Sequence, residues 1–113
     1  MSRATTLGSL AKYLGIDGRI PRSLHSVPIR WTSARRYLGL SRARRCRATG
    51  RVEPLDVRLS RRLLVMGEAQ MVDTLLHEVA HLIAFGVGET GHGRVWRLLA
   101  AGLGARPETE VTA

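Results

Sequence analysis

Two histidines four residues apart, His77 and His81, stand inside the longest apolar stripe of a 113-residue chain. From Glu68 onward, Met71, Val72, Leu75, Leu76, Val79, Ala80, Leu82 and Ile83 recur at the spacing of one broad helix face, and Gly86 stops the pattern. Residues four apart lie roughly 40° apart around a helix and about 6 Å along it, so both imidazoles can reach one ion. Glu78 projects beside the pair, where a carboxylate can touch a water at the ion without ligating the ion itself. As ordinary side chains, the two histidines would sit at a core edge with apolar neighbours on both sides, a costly place for unsatisfied imidazoles. The HExxH pattern therefore predicts a metal-binding helix that the remainder of the fold must enclose.

A catalytic zinc takes three protein ligands and keeps one position open, so the pair needs a third partner. Only His25 and His92 remain among the histidines. His92 lies in Gly91-His92-Gly93, beyond a glycine-rich loop that can fold the chain back, and it is the preferred third ligand. Glu89 and Asp73 are weaker, acidic alternatives. His25, between Leu24 and Ser26, reads as a surface residue. No obvious fourth ligand stands near the motif, which favours an open, catalytic site over a closed, structural one.

The chain is long enough for one small domain, which buries only about two thirds of its unfolded surface and would gain from a metal staple. With 44% hydrophobic residues it can form a compact core. Its longest apolar runs, such as Leu63-Leu64-Val65-Met66, reach four residues, so no membrane span and no secretory core is expected. The single cysteine, Cys46, excludes an internal disulfide and reads as a buried thiol; a cytoplasmic protein is expected. Net charge is +9, and it is segregated: residues 30–62 hold eleven arginines against Glu53 and Asp56, whereas residues 63–113 hold three against six acids. Such a basic segment suits a nucleic-acid partner, single-stranded or non-specific DNA contacted through Arg30–Arg62, although an ordinary solvated arginine surface is the plainer reading.

Leu7, Leu10, Ala11 and Leu14 predict a short helix from Thr5 to Leu14, closed by Gly15. Ile29, Trp31 and Ser33 alternate with polar residues, as do Leu55, Val57 and Leu59, and a less regular strand is expected over Arg42 to Thr49. A last short helix holds Val95, Trp96, Leu98 and Leu99 and ends near Gly102 and Gly104, before Pro107; the tail Glu108 to Ala113 is expected to fray. Trp96 and Trp31 read as packing residues. The expected class is α+β: a short antiparallel sheet of about three strands on the HExxH helix, with short helices at both ends. The expected single domain, 1–113, comprises an N-terminal helix and connector (1–28), a basic strand region (29–64) and the zinc-site helices (68–107).

Leu75-Leu76-His77-Glu78-Val79-Ala80-His81, then Gly91-His92-Gly93 with Trp96 three positions on, then Leu103-Gly104 and Pro107, together resemble a SprT-like (Spartan-related) zinc metallopeptidase domain. Trp31, Leu38-Gly39, and Leu59-Ser60 followed by Leu63-Leu64 are weaker matches upstream, so the likeness spans roughly residues 29–107. The resemblance implies a zincin-like fold, Zn2+ held by His77, His81 and His92, and Glu78 as catalytic acid/base. It further implies an endopeptidase in which zinc-activated water attacks a peptide bond, with DNA-associated proteins as expected substrates. The alternative is a non-catalytic nucleic-acid-binding module with a structural zinc site.

Overall fold

Strand-like alternation gives way to helical periodicity at residue 63, and the architecture divides at that point into a sheet and the helices that cover it. The computed structural model describes residues 5–106; the tail from Glu108 to Ala113 lies outside the described residues. β1 (Thr5–Thr6) runs into α1 (Leu7–Tyr13), and two 3-10 turns, Asp17–Arg19 and Arg22–Leu24, lead to β2 (Pro28–Thr32). β3 (Gly39–Arg45) and β4 (Val52–Ser60) follow, then α2 (Leu63–Met66), α3 (Glu68–Phe85) and α4 (Arg94–Leu103). The class is α+β, with a mixed four-stranded sheet in the order β1-β2-β4-β3.

The expectation of about three antiparallel strands is corrected in two respects. Thr5 pairs with Ile29 and Thr6 with Pro28, adding a two-residue strand too short to leave a period in the sequence. β2 and β4 run parallel, with Ile29 opposite Val57 and Trp31 opposite Leu59. The 33–38 connection explains the parallel pairing, because it crosses the end of β4. There Ser60 N–H donates to Leu38 O at 2.8 Å, Arg61 N–H to Thr32 O at 2.8 Å, and the Ser60 hydroxyl to Ala34 O at 3.0 Å. β3 is thereby delivered to the far side of β4, and β4 becomes the inner strand between β2 and β3. Val57 and Leu59, the two best alternating apolar residues, are wholly buried there.

The middle strand lies three residues earlier than the arginine-rich run suggested, and Cys46 to Gly50 form the hairpin turn. Gly50 takes the left-handed φ of 73° that this turn needs. The register slips between Arg42 and Ala43, so Arg42 faces Asp56 while Ala43 faces Pro54. Leu55 is left at this bulge and is exposed, although its alternation with Val57 and Leu59 predicted burial. Leu63 to Met66, of which the first two residues close the expected strand region 29–64, is a one-turn helix with only Leu63 buried. Thr6 caps α1 and exchanges hydrogen bonds with Ser9, close to the expected helix start.

α3 lies on the sheet, and Leu75, Leu76, Val79 and Ala80 join Ile29, Leu38, Val57 and Leu59 in one core with Trp96 and Ala100 of α4. Residues 74–82 are buried without a break. No helix among the described residues is long and apolar enough to cross a membrane.

On the opposite sheet face, Asp56 is 1% exposed and held by two arginines. Arg30 Nε donates to it at 2.9 Å, and Arg42 grips it with Nε at 2.8 Å and Nη2 at 2.7 Å. The hydrogen-bonded Arg42 guanidinium, with Arg30 beside it, holds the Asp56 carboxyl below the ordinary carboxylate range despite the opposing effect of burial. A depressed folded-state pKa stabilises the fold above the unfolded value, and that stability is lost as pH falls through the folded one. Asp56→Asn is expected to cost about 1–3 kcal/mol at neutral pH, since two guanidinium groups lose their charged acceptor. Its chemical-denaturation midpoint should also fall less steeply on acidification than the parent's. Parallel acid limbs would show that Asp56 is not the titrating group.

Candidate metal centre

α3 carries His77 and His81 one turn apart, and the loop after Gly86 returns His92 to them. Ring centroids are separated by 5.0 Å for His77–His81, 5.0 Å for His77–His92 and 4.8 Å for His81–His92. One ligand nitrogen from each ring lies within 4.8 Å of the others, and His77 Nε2 is 3.2 Å from His92 Nε2. Two nitrogens on a tetrahedral zinc with bonds of about 2.0–2.1 Å are roughly 3.3 Å apart, so this donor set fits such an ion. These three residues can hold a metal ion. His77 and His81 are buried and His92 is half-buried, which leaves the approach on the His92 side.

The return loop is built by local hydrogen bonds. Gly88 and Gly91 take φ values of 88° and 79°, and Glu89 N–H donates to Ala84 O at 3.0 Å. The Glu89 carboxylate then accepts from Trp96 N–H at 2.6 Å and Val95 N–H at 3.2 Å, capping α4. A Cβ on Gly93 would come within 2.7 Å of that carboxylate, so glycine is needed here for close approach. Glu89 is therefore engaged at the helix start and is not among the three clustered ligands. Asp73, the other acidic alternative, accepts Arg106 N–H at 2.7 Å and its guanidinium at 3.3 Å. His25 is no surface residue. It is half-buried, its Nε2 lies 3.0 Å from Ile20 O, and its ring packs against Gly8.

Trp96 forms the floor. It is fully buried, with its ring centroid 4.6 Å from His77, 5.3 Å from His81 and 4.6 Å from His92. Its indole N–H donates to His77 O at 3.2 Å, which ties α4 to α3. The packing reading of Trp96 holds, and half-buried Trp31 likewise packs on the core. Cys46 departs from expectation: it is half-buried in the hairpin turn, where a hydrogen bond from Thr49 lowers its thiol pKa.

Glu78 is wholly buried and faces β3. Ser41 Oγ lies 2.7 Å from Glu78 Oε1 and 2.8 Å from the Glu78 carbonyl oxygen. A hydroxyl has one proton, so it donates to one of these at a time; a protonated Glu78 would donate to Ser41 and leave Ser41 to donate to the carbonyl. Burial pushes the Glu78 carboxyl up to about 8, against the lowering effect of the Ser41 hydrogen bonds. Oε2 has no hydrogen-bond partner among the described residues. A Cβ on Gly39 would meet Glu78 Cγ, Glu78 Oε2 and Thr74 Cγ2 at 2.9 Å, so the strand approaches the helix closely only because residue 39 is glycine. Sequence reasoning missed both Gly39 and Ser41 as site residues. Their signal was the run of small residues Gly39, Ser41 and Ala43 at period two, which marks a strand face pressed against another element.

A groove of about 420 Å³ opens beside the centre. Ser41, Arg44, Arg45 and Val52 border it from the β3–β4 hairpin, and Phe85 and Gly88 border it from the helix side. It adjoins the candidate centre through Ser41, which bonds Glu78, and through Phe85, whose ring stacks on His81 at 5.9 Å.

A model of the SprT-like family matches residues 12–113, extending beyond the 29–107 that carry the sequence resemblance. No curated relative and no solved structure matches the chain.

Because the Glu89 carboxylate starts α4 and anchors the loop bearing His92, Glu89→Ala is expected to cost about 0.5–2 kcal/mol in metal-free protein. An unchanged thermal midpoint for that variant would mean the cap contributes nothing.

Proposed function

The chain belongs to the SprT-like family, and from that premise we propose that it is a zincin-like, zinc-dependent endopeptidase acting on DNA-associated proteins. The observation that carries this reading is the trio His77, His81 and His92, with ligand nitrogens within 4.8 Å, beside a buried carboxylate, Glu78. When bound, zinc would supply Lewis acidity, making a water more acidic and polarising a peptide carbonyl. Glu78, in the ionised form that a bound cation would favour, would accept the attacking water's proton at Oε2 and deliver it to the amide nitrogen as the C–N bond breaks. Ser41 orients the carboxylate through Oε1, and Gly39 lets the strand lie close over it. β3 ends the sheet order, so its outer backbone edge is available to an extended substrate by strand addition. Trp96 excludes water beneath the imidazoles and keeps their spacing.

The reading as a non-catalytic module with structural zinc would need a fourth ligand. Among the described residues the cluster contains three, which favours an open site. Association with DNA is supported by the arginines of the 30–62 stretch. Arg35, Arg61 and Arg62 line a cavity of about 370 Å³ with Ser33 and Ser60, and no carboxylate lines it. Arg61 Nη1 donates to Ser33 Oγ at 3.0 Å and Arg62 Nη2 to Arg35 O at 3.0 Å, so both guanidinium groups are held in place before any polyanion arrives.

Glu78→Gln should keep the metal and the fold while lowering proteolysis by about 10²–10⁴-fold, the usual contribution of acid–base catalysis. Parental cleavage by that variant would remove Glu78 as the proton carrier. His92→Ala should lose tight zinc binding, read as metal content after dialysis; equal zinc in variant and parent would remove His92 from the ligand set. For DNA, contact with about four phosphates predicts a log–log salt slope near −3 on single strands, using roughly −0.7 per phosphate. A slope near zero would leave the arginines as a solvated surface only.

A further inference from the structure

We propose that the groove beside the candidate centre selects extended peptide segments bearing carboxylates, with Arg44 and Arg45 as its specificity-determining residues. The inference rests on the peptidase reading and adds the substrate chemistry. Three arginines, Arg42, Arg44 and Arg45, line the groove and no acidic residue does. Arg42 is spent on Asp56, whereas neither Arg44 nor Arg45 forms an ion pair with a carboxylate among the described residues. Glu53 stands opposite Arg44 in the hairpin register but lies outside the lining. Arg45 Nη1 donates to Gly50 O at 2.9 Å, which fixes that guanidinium at the groove's end while leaving other donors unspent.

Placement strengthens the argument. In a regular strand, successive side chains point to opposite faces, yet Arg44 and Arg45 both border the groove. The register slip at Arg42 and Ala43 immediately precedes them; its extra residue, Leu55, lies on β4, and a bulge of this kind raises the local twist of the strand pair that carries both arginines. Arg44 and Arg45 lie three and four residues beyond Ser41, which bonds Glu78. At about 3.3 Å per residue that is roughly 10–13 Å, so a substrate added to β3 would present a side chain three or four positions from the reacting bond. Val52 and Phe85 supply apolar wall between. A forked guanidinium pairs bidentately with a carboxylate, whereas a lysine at the same position meets like charge, so the groove both attracts and rejects.

The test uses the full zinc-loaded chain and three quenched peptides of equal length. They share one apolar cleavable segment and carry Glu, Gln or Lys at the flanking positions. kcat/KM should fall in the order Glu, Gln, Lys, by at least about tenfold between the extremes, with the difference in KM. The double variant R44E/R45E should reverse the order. R22E/R97E, which makes the same change of net charge at exposed positions outside the groove, should keep it. Equal KM values in the parent, or equal reversal by both double variants, would overturn the groove proposal and leave the peptidase reading standing. Failure to cleave any of the three would instead count against the peptidase reading. The groove is then decided by anisotropy of the same peptides, labelled: Glu-peptide binding lost only in R44E/R45E sustains it, and equal binding of all three overturns it.

Discussion

Nine consecutive residues of α3, Thr74 to Leu82, are buried, and three of them, His77, Glu78 and His81, can ionise. A helix enclosed on all sides normally avoids such groups, because an unsatisfied buried polar group costs a few kcal/mol and a buried charge far more. The surrounding elements take positions that answer those side chains. β3 supplies Ser41 to the Glu78 carboxyl, the loop after Gly86 supplies His92 to the imidazoles, and α4 supplies Trp96, whose indole bonds the His77 carbonyl. Shifting α3 by one residue along its axis would remove every one of these partners at once. The register of the helix against the sheet is set by polar satisfaction as much as by apolar packing.

Small residues make that arrangement sterically possible. Gly39 admits Glu78, and Gly93 admits the Glu89 carboxylate that starts α4. In both places a Cβ would come within 3 Å of a carboxylate, so closeness, not backbone conformation, is what glycine provides. Gly88 and Gly91 do the other work available to glycine, turning the return loop through positive φ. The candidate centre therefore depends on two kinds of glycine, one pair for approach and one pair for direction.

The long-range periods were legible in the sequence. The apolar stripe and Gly86 located α3 to the residue, and the HExxH spacing with Gly91-His92-Gly93 identified the three imidazoles that the fold brings together. Strand pairing was not legible, because the parallel contact of β2 with β4 is decided by a six-residue crossover whose hydrogen bonds involve Ser60 and backbone carbonyls. β1 escaped because two residues cannot establish a period, and Leu55 because a bulge breaks the period locally. His25 was misread because its partner is a carbonyl, invisible in any pattern of side chains. Ser41 was the most consequential omission. A lone serine between Leu40 and Arg42 gives no chemical signal until the strand face that it shares with Gly39 and Ala43 is known to press on α3.

Charge segregation along the chain becomes spatial division in the fold. The eleven arginines of residues 30–62 do not act as one patch. Arg30 and Arg42 are consumed by Asp56 on the sheet face, and that burial of a carboxylate beneath two guanidinium groups stabilises the hairpin next to the centre. Arg35, Arg61 and Arg62 gather where the 33–38 crossover meets the end of β4, whereas Arg44 and Arg45 border the groove toward the hairpin turn. β4 spans nine residues between these regions, roughly 30 Å at about 3.3 Å per residue, well beyond the Debye length of about 8 Å at physiological ionic strength. An anion at one end is consequently screened from one at the other. The same basic strand pair can thus present two electrostatically independent surfaces, one toward each end of β4, and the net charge of +9 describes neither.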